Sequence, residues 1–238
     1  MRILVTRPAP DGAKQAAALL ARGHEPVLAP LLTVEFEQPI LDLDGVQALV
    51  VTSRNALRAL AGHKQAGQTL RLPLYAVGEA TAAEARRMGF ADVIAGPGRA
   101  ADLAARLRAE RDPEKGALLH LAGEALAFDL TSALPGFDLR QPVLYRTIPV
   151  ARLTEEALTL LRASEFYGAI LMSPRTAEIL VTLLHKEGAT EPASRLICYC
   201  LSEAVAEAAT PLGSRRRVAA TPREEDILAL IDSDAASL

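Results

Sequence analysis

The chain states nearly the same pattern twice, and that repetition limits what it can fold into more than any other feature. Leu49-Val50-Val51-Thr52-Ser53-Arg54-Asn55-Ala56 returns as Ile170-Leu171-Met172-Ser173-Pro174-Arg175-Thr176-Ala177. Tyr75-Ala76-Val77-Gly78-Glu79-Ala80-Thr81-Ala82 returns as Tyr199-Cys200-Leu201-Ser202-Glu203-Ala204-Val205-Ala206, and Gly89 as Gly213. Val93-Ile94-Ala95-Gly96-Pro97 returns as Val218-Ala219-Ala220-Thr221-Pro222. The offset stays between 121 and 125 residues (49 to 170, 75 to 199, 93 to 218), a drift that small loop changes explain. Alanine matched to alanine carries little weight in helices so rich in it. What persists is an order of strand, polar turn and helix. A chain of 238 residues holds two domains of about 100–120 residues each, and a cleft between two such units is where a ligand is expected.

Between the repeated stretches, short aliphatic runs alternate with amphipathic helical patterns. Strands are predicted at Ile3–Thr6, Glu25–Ala29, Gln47–Thr52, Pro73–Val77, Asp92–Ala95 and Ala117–Leu121, then at Gly168–Met172, Arg195–Leu201 and Val218–Ala220. Helices are predicted over Gly12–Arg22, Asn55–Gly62, Ala80–Met88, Ala100–Arg111, Arg175–Glu187, Glu203–Leu212 and Glu224–Ser233. Strand, helix, strand with short loops implies parallel sheets covered by helices. The second repeat lacks a full sheet unless the strand–helix–strand of Arg2–Pro30 completes it. The fold expected is therefore α/β, with two similar parallel-sheet domains facing across a cleft. One domain is discontinuous, residues 1–33 plus 149–238, and the other, residues 37–143, is inserted into it. Two linker strands, about 33–36 and 144–148, join them; both are β-branched and alternating.

Composition narrows the function classes. Half the residues are hydrophobic and only 4% are aromatic, with no Trp, so the cores are aliphatic. A net charge of −3 gives no general attraction to nucleic acid or to an anionic membrane. No run approaches the roughly 20 apolar residues that span a bilayer, and Met1–Thr6 is too short for a signal peptide. A cytoplasmic protein is expected. Cys198 and Cys200 alternate onto one face of a strand, which suits neither a disulfide nor a metal pair. They read as buried free thiols.

Few constellations carry chemistry. Gly96-Pro97-Gly98-Arg99-Ala100-Ala101 matches a dinucleotide fingerprint, but Pro97 stiffens the turn and no acidic residue ends a strand about 20 residues later. It stands as a strand-to-helix turn or a weak nucleotide site. His24, His63, His120 and His185 lack ligand spacing, so no metal is expected. Glu224-Glu225-Asp226 opens a helix, where carboxylates answer the dipole. Thr6-Arg7-Pro8, Thr52-Ser53, Gly78-Glu79-Ala80-Thr81, Ser173-Pro174 and Ser202-Glu203 each end a strand and begin a helix. Any one alone is an N-cap. Together they bring helix N-termini to the carboxyl ends of parallel strands, where backbone N–H donors and hydroxyls suit a ligand with many carboxylates.

Taken in order, Thr6-Arg7-Pro8, Pro30-Leu31, Thr52-Ser53-x-Asn55-Ala56, Val77-Gly78-x-x-Thr81-Ala82 with Gly89, Leu144-Tyr145-Arg146, Ser173-Pro174 and Gly213 resemble the uroporphyrinogen-III synthase family. The resemblance spans essentially the whole chain, and the ordered set carries it rather than any single motif. Two positions depart from the family pattern. Ala122-Gly123 stands where the family has Arg-Gly, and Ser202-Glu203-Ala204-Val205 where it has a Gly-x-Thr-like start.

The resemblance implies a cofactor-independent hydro-lyase of tetrapyrrole biosynthesis, a monomer acting on a polycarboxylate tetrapyrrole. Such an enzyme closes the linear hydroxymethylbilane with loss of water and inversion of the last pyrrole ring. The hydroxyl leaves as water from an electron-rich pyrrole, so no strong acid is required. Attack from the substituted carbon of the last ring gives a spiro intermediate whose rearrangement inverts that ring. The free bilane closes without inversion, so the enzyme chiefly controls geometry. By the same resemblance Tyr145 is the catalytic proton donor; an ordinary phenol, with a pKa of about 10 in water, keeps its proton at neutral pH. Substrate would be held by Thr6, Arg7, Ser53, Asn55, Gly78, Thr81, Ser173 and Ser202. Read without the resemblance, Tyr145 is a half-buried strand tyrosine, and the chain is a two-lobed cytosolic module that binds or senses a small ligand.

Overall fold

Parallel strands buried on both faces must be aliphatic along their length, and this chain's central strands largely are. The computed structural model describes residues 1–237. The chain divides into two compact units, Met1–Thr33 with Ile148–Leu238, and Val34–Thr147. The first unit opens with strand β1 (Arg2–Val5), helix α1 (Asp11–Leu20) and strand β2 (Glu25–Leu28), and β3 (Leu32–Phe36) carries the chain into the second unit. There follow β4 (Val46–Val51), α2 (Arg54–Ala61), α3 (Ala66–Thr69), β5 (Leu74–Ala76), α4 (Glu79–Arg87), β6 (Val93–Ala95) and α5 (Ala100–Glu110). The unit ends with β7 (Ala117–Gly123), α6 (Leu130–Ala133) and β8 (Leu139–Arg140), and β9 (Val143–Pro149) returns the chain. The first unit then resumes with α7 (Glu155–Arg162), β10 (Gly168–Leu171), α8 (Pro174–Lys186), α9 (Thr190–Ser194), β11 (Ile197–Cys200), α10 (Glu203–Ala208), β12 (Arg215–Val218) and α11 (Glu224–Ala235).

The first unit's sheet is parallel throughout, in the order β12-β11-β10-β1-β2. In the second unit β6-β5-β4-β7 run parallel. The far side of β7 is shared: β8 pairs with Leu118 and Leu119, and β9 with Ala122 and Gly123. Strand β3 lies outside β9. Hydrogen bonds from Val150 to Leu31 and from Glu37 to Leu144 run antiparallel along that pair. If β1-α1-β2 is written after α11, the two units share one strand order, with β6-β5-β4-β7-β8 matching β12-β11-β10-β1-β2. The first three secondary-structure elements supply the part that the second repeat lacks.

Each sheet separates two apolar layers. On β11, Cys198 and Cys200 face one layer and Tyr199 the other; on β5, Leu74 and Ala76 face one and Tyr75 the other. Both thiols are free and buried, and burial pushes Cys200 up to about 12, which keeps it protonated and unreactive.

Several elements differ from expectation. The last strand is Arg215–Val218 rather than Val218–Ala220. It is an edge strand, where Arg215 and Arg216 can reach water while Arg217 pairs with Asp234 at 3.2 Å. A run of arginines hides such a strand from a hydropathy reading. The helix expected over Glu203–Leu212 breaks after Ala208 into a 3-10 turn at Thr210–Leu212, with Pro211 inside it. Helix α7 was absent from the pattern of repeats because its counterpart segment is not helical. Its own signals are plain: Thr154 caps Ala157, acidic residues open it and Arg162 closes it.

Candidate active site

Glycine lets backbones approach where any side chain would collide. At the carboxyl ends of β4, β5 and β7 this creates a cavity of about 340 Å³ in the second unit. Gly123 ends β7 opposite Tyr145 of β9. A Cβ at Gly123 would lie 2.5 Å from Tyr145 Cζ, so the phenol ring occupies the space a side chain would need. Tyr145 is half-buried and lines the cavity with Thr52, Ser53, Gly123 and the buried His120. The loop carrying Ala125, Leu126 and Phe128 supplies an apolar wall.

The cap residues are held by local chemistry. Ser53 is extended at the N-cap of α2, and its hydroxyl accepts the Asn55 N–H at 3.2 Å. Asn55 in turn accepts from Arg58 at 2.7 Å. Gly78, the N-cap of α4, lies against Gly98, where an added Cβ would come within 3.2 Å of the Gly98 Cα. Thr81 is buried in α4, and its N–H donates to Gly78 O at 3.1 Å. The Gly96-Pro97-Gly98 turn is a packing device. Gly96 N–H donates to Ala76 O and Gly98 N–H to Val77 O, both at 2.8 Å, so neither is free to cradle a phosphate.

In the first unit, Thr6 is 1% exposed and its Oγ1 donates to Ile170 O at 2.6 Å. That proton is committed to the neighbouring strand. Arg7 pairs with Asp11 at 3.4 Å and Glu224 at 2.7 Å. Ser173 caps α8 by accepting the Thr176 N–H at 3.2 Å, and shares a 2.8 Å bond with the Thr176 hydroxyl. Ser202 is the N-cap of α10 without a side-chain cap bond. The helix caps correct the repeat register by one residue. Ser53 and Ser173 are equivalent caps, so Met172 rather than Ser173 is the counterpart of Thr52. Gly78 and Ser202 stay aligned as caps, as do Gly89 and Gly213 with φ of 97° and 67°.

The cavity thus gathers Ser53 and Tyr145 from the expected residues. Thr81 lies beneath the helix start, and Thr6, Arg7, Ser173 and Ser202 belong to the first unit. The lining residues Thr52, read only as part of the Thr52-Ser53 cap, Gly123, noted only beside Ala122, and His120 were not among the expected site residues. His120 was visible as one polar residue inside the apolar strand Ala117–Gly123. Burial lowers its pKa to about 4, so the imidazole is neutral at physiological pH. Among the described residues, no cluster of His, Cys, Asp or Glu could hold a metal ion, and no helix is long and apolar enough to cross a membrane.

A family model described as uroporphyrinogen-III synthase HemD matches residues 13–229. Two solved structures share the fold. Uroporphyrinogen-III synthetase from Helicobacter pylori 26695 is 20% identical, with 98% of each chain covered and a TM-score of 0.69. A mutant uroporphyrinogen III synthase from the extreme thermophile Thermus thermophilus is 18% identical, with 100% of each chain covered and a TM-score of 0.60. No curated protein matches the sequence.

Proposed function

The chain belongs to the uroporphyrinogen-III synthase family, the cyclising hydro-lyases of haem biosynthesis, and on that premise we propose that Tyr145 protonates the departing hydroxyl of hydroxymethylbilane in the second unit's cavity. The supporting observation is the character of the cavity wall, which holds a phenol but no carboxylate, lysine or arginine. Among its O–H groups, the phenol is a far better acid than the hydroxyls of Thr52 and Ser53. The bond between the hydroxymethyl carbon and oxygen breaks, the proton leaves with the oxygen as water, and the pyrrole nitrogen carries the resulting positive charge. The substituted carbon of the last ring then attacks to give the spiro intermediate. Its older bond to the bridging methylene breaks and re-forms at the ring's unsubstituted carbon, and the proton lost from that carbon restores the phenol. Holding the ring so that this carbon is nearest is the larger task.

Anchors are proposed in each unit. Ser53, Asn55 and Gly78 stand at the starts of α2 and α4, and Ser173 at the start of α8, where exposed N–H groups and the helix dipole favour carboxylates. Thr6 and Thr81 have buried side chains, and the Thr81 N–H is committed to Gly78 O, so their proposed part is to shape the neighbouring helix starts rather than to hold a carboxylate directly. Arg7 offers a cation already shared with Asp11 and Glu224, and Ser202 a hydroxyl that caps nothing. The enzyme is proposed to work as a cytoplasmic monomer without a cofactor. The test is to add the protein to freshly made hydroxymethylbilane and measure the isomer ratio of the cyclised product. Excess of the inverted ring supports the reading; closure at the spontaneous rate to the uninverted ring overturns it.

A further inference from the structure

A chain of three hydrogen-bonding side chains runs under the cavity. Gln141, in the segment between β8 and β9, reaches His120 with Nε2 at 3.1 Å from Nδ1. His120 Nε2 lies 3.0 Å from Thr52 Oγ1. Thr52 and His120 both line the cavity, and His120 is 1% exposed. The strand pairing explains the meeting. Val50 of β4 is in register with His120 of β7, so Thr52 follows two residues beyond on the adjacent strand. Gln141 and Tyr145 sit on one short segment that runs along the rim of β7, the first against His120 and the second against Gly123.

The chain has a direction. With the Gln141 amide oriented so that Nε2 faces the ring, that nitrogen donates and Nδ1 accepts. A neutral imidazole carries one proton, which then sits on Nε2 and donates to Thr52 Oγ1. The threonine oxygen accepts there, which leaves its own O–H to point elsewhere, and the cavity is the space Thr52 faces.

We infer that Gln141 and His120 are positioning residues that fix the Thr52 hydroxyl as a hydrogen-bond donor to a carboxylate of the substrate. This rests on the functional reading above. The pyrrole nitrogens of a bilane are donors, so a donor in the wall selects the carboxylates instead. The start of α2, one residue past Ser53, favours the same charge. Without the relay the hydroxyl would be free to turn its lone pairs toward the substrate, and a carboxylate would meet repulsion rather than a proton.

Two measurements test this. In the unsubstituted full chain with 15N-labelled histidine at neutral pH, imidazole spectra should show His120 as the Nε2–H tautomer, assigned by its loss in His120→Phe. An Nδ1–H tautomer or an imidazolium would reverse or abolish the direction and overturn the inference. In steady-state kinetics with hydroxymethylbilane, Thr52→Val and His120→Phe should each raise KM by about ten- to a hundredfold, the factor carried by one hydrogen bond to a charged group. The kcat should stay within about twofold. The double variant should be no worse than Thr52→Val alone, because His120 acts through Thr52. Additive losses, or a fall in kcat with KM unchanged, would overturn the inference. If His120→Phe does not fold, Gln141→Leu assigns the relay's far end, where loss of the Nε2–H tautomer is expected and its retention counts against the inference. Should the unsubstituted chain leave hydroxymethylbilane to close spontaneously, the functional reading falls by itself, and the tautomer still decides the direction of the relay.

Discussion

The hydroxyl of Tyr199 donates to Asp234 Oδ2 at 3.0 Å, tying β11 to α11 from inside the first unit. The same tie recurs in the second unit, where Tyr75 donates to Glu110 at 2.8 Å and joins β5 to α5. Both tyrosines and both carboxylates obey one offset (75 to 199, 110 to 234), so the repeat extends to a buried polar contact. Burial and the carboxylate both raise the Tyr199 phenol above its usual range, which keeps it a donor. Asp234 also pairs with Arg217, and its side chain is 11% exposed against 39% for Glu110. Tyr199→Phe should therefore destabilise the protein by about 1.5–3 kcal/mol in urea unfolding, and Tyr75→Phe by less, about 1 kcal/mol or below. Equal costs would show that burial of the acceptor does not decide the outcome.

Gly123→Ala is expected to act on Tyr145 rather than on the fold. The added methyl would meet the phenol ring at 2.5 Å, and the ring must swing away from its place on the cavity wall. A misplacement of about 1 Å at a reacting group can cost 100-fold. Turnover of hydroxymethylbilane should drop by about that factor while far-ultraviolet circular dichroism is unchanged. Full turnover would mean that the ring's position is immaterial.

Tyr145→Phe removes one proton donor and leaves the cavity's shape. General acids contribute about 10²–10⁴-fold, and this leaving group departs readily, so the loss should be about 100-fold or less. Product that does form should still carry the inverted ring. Rapid turnover to the uninverted isomer would place geometric control in Tyr145 itself and reject the positional account.

Acid should weaken the protein through His120. Its pKa is about 4 in the folded chain against an ordinary value of 6.5. As pH falls below about 6.5 the unfolded chain takes up the proton first, so stability is full above that pH and is lost progressively down to about 4. The loss attributable to this group is about 3 kcal/mol. Urea midpoints of the unsubstituted protein and of His120→Phe, compared at pH 7.5 and pH 5, isolate it: the variant should lose less on acidification. Parallel losses would assign the acid sensitivity to other groups.

The parallel α/β class was legible in the sequence because buried strands and short turns leave local signatures at Leu49–Ser53, Tyr75–Gly78 and Ile170–Ser173. The caps Ser53, Gly78, Ser173 and Ser202 were legible for the same reason. Strand β12 was not, since Arg215, Arg216 and Arg217 present an edge strand as a polar loop. Nor was the His120–Gln141 contact, whose partners lie 21 residues apart and meet only because β7 and the segment before β9 run side by side. Gly123 was marked only as the glycine of the Ala122-Gly123 pair that stands where the family has Arg-Gly, and nothing local showed its packing role. Its meaning is the space it leaves for a ring 22 residues later, and empty space leaves no mark in a sequence.

Strand β1 pairs with β10, so Ile3 waits for Gly168 and Val5 for Ile170. During synthesis, every strand of the second unit up to β9 has been made before β10 exists. The inserted unit can therefore finish its own sheet while Ile3, Leu4 and Val5 still have only β2 beside them. Pairing of strands so distant in sequence is slow, because the intervening loop must first be closed. The order of manufacture thus runs opposite to the order of the chain, with the middle finished first and the beginning joined to the end last. Until that join is made, the side of β1 away from β2 is an open aliphatic edge, the kind of edge on which chains aggregate.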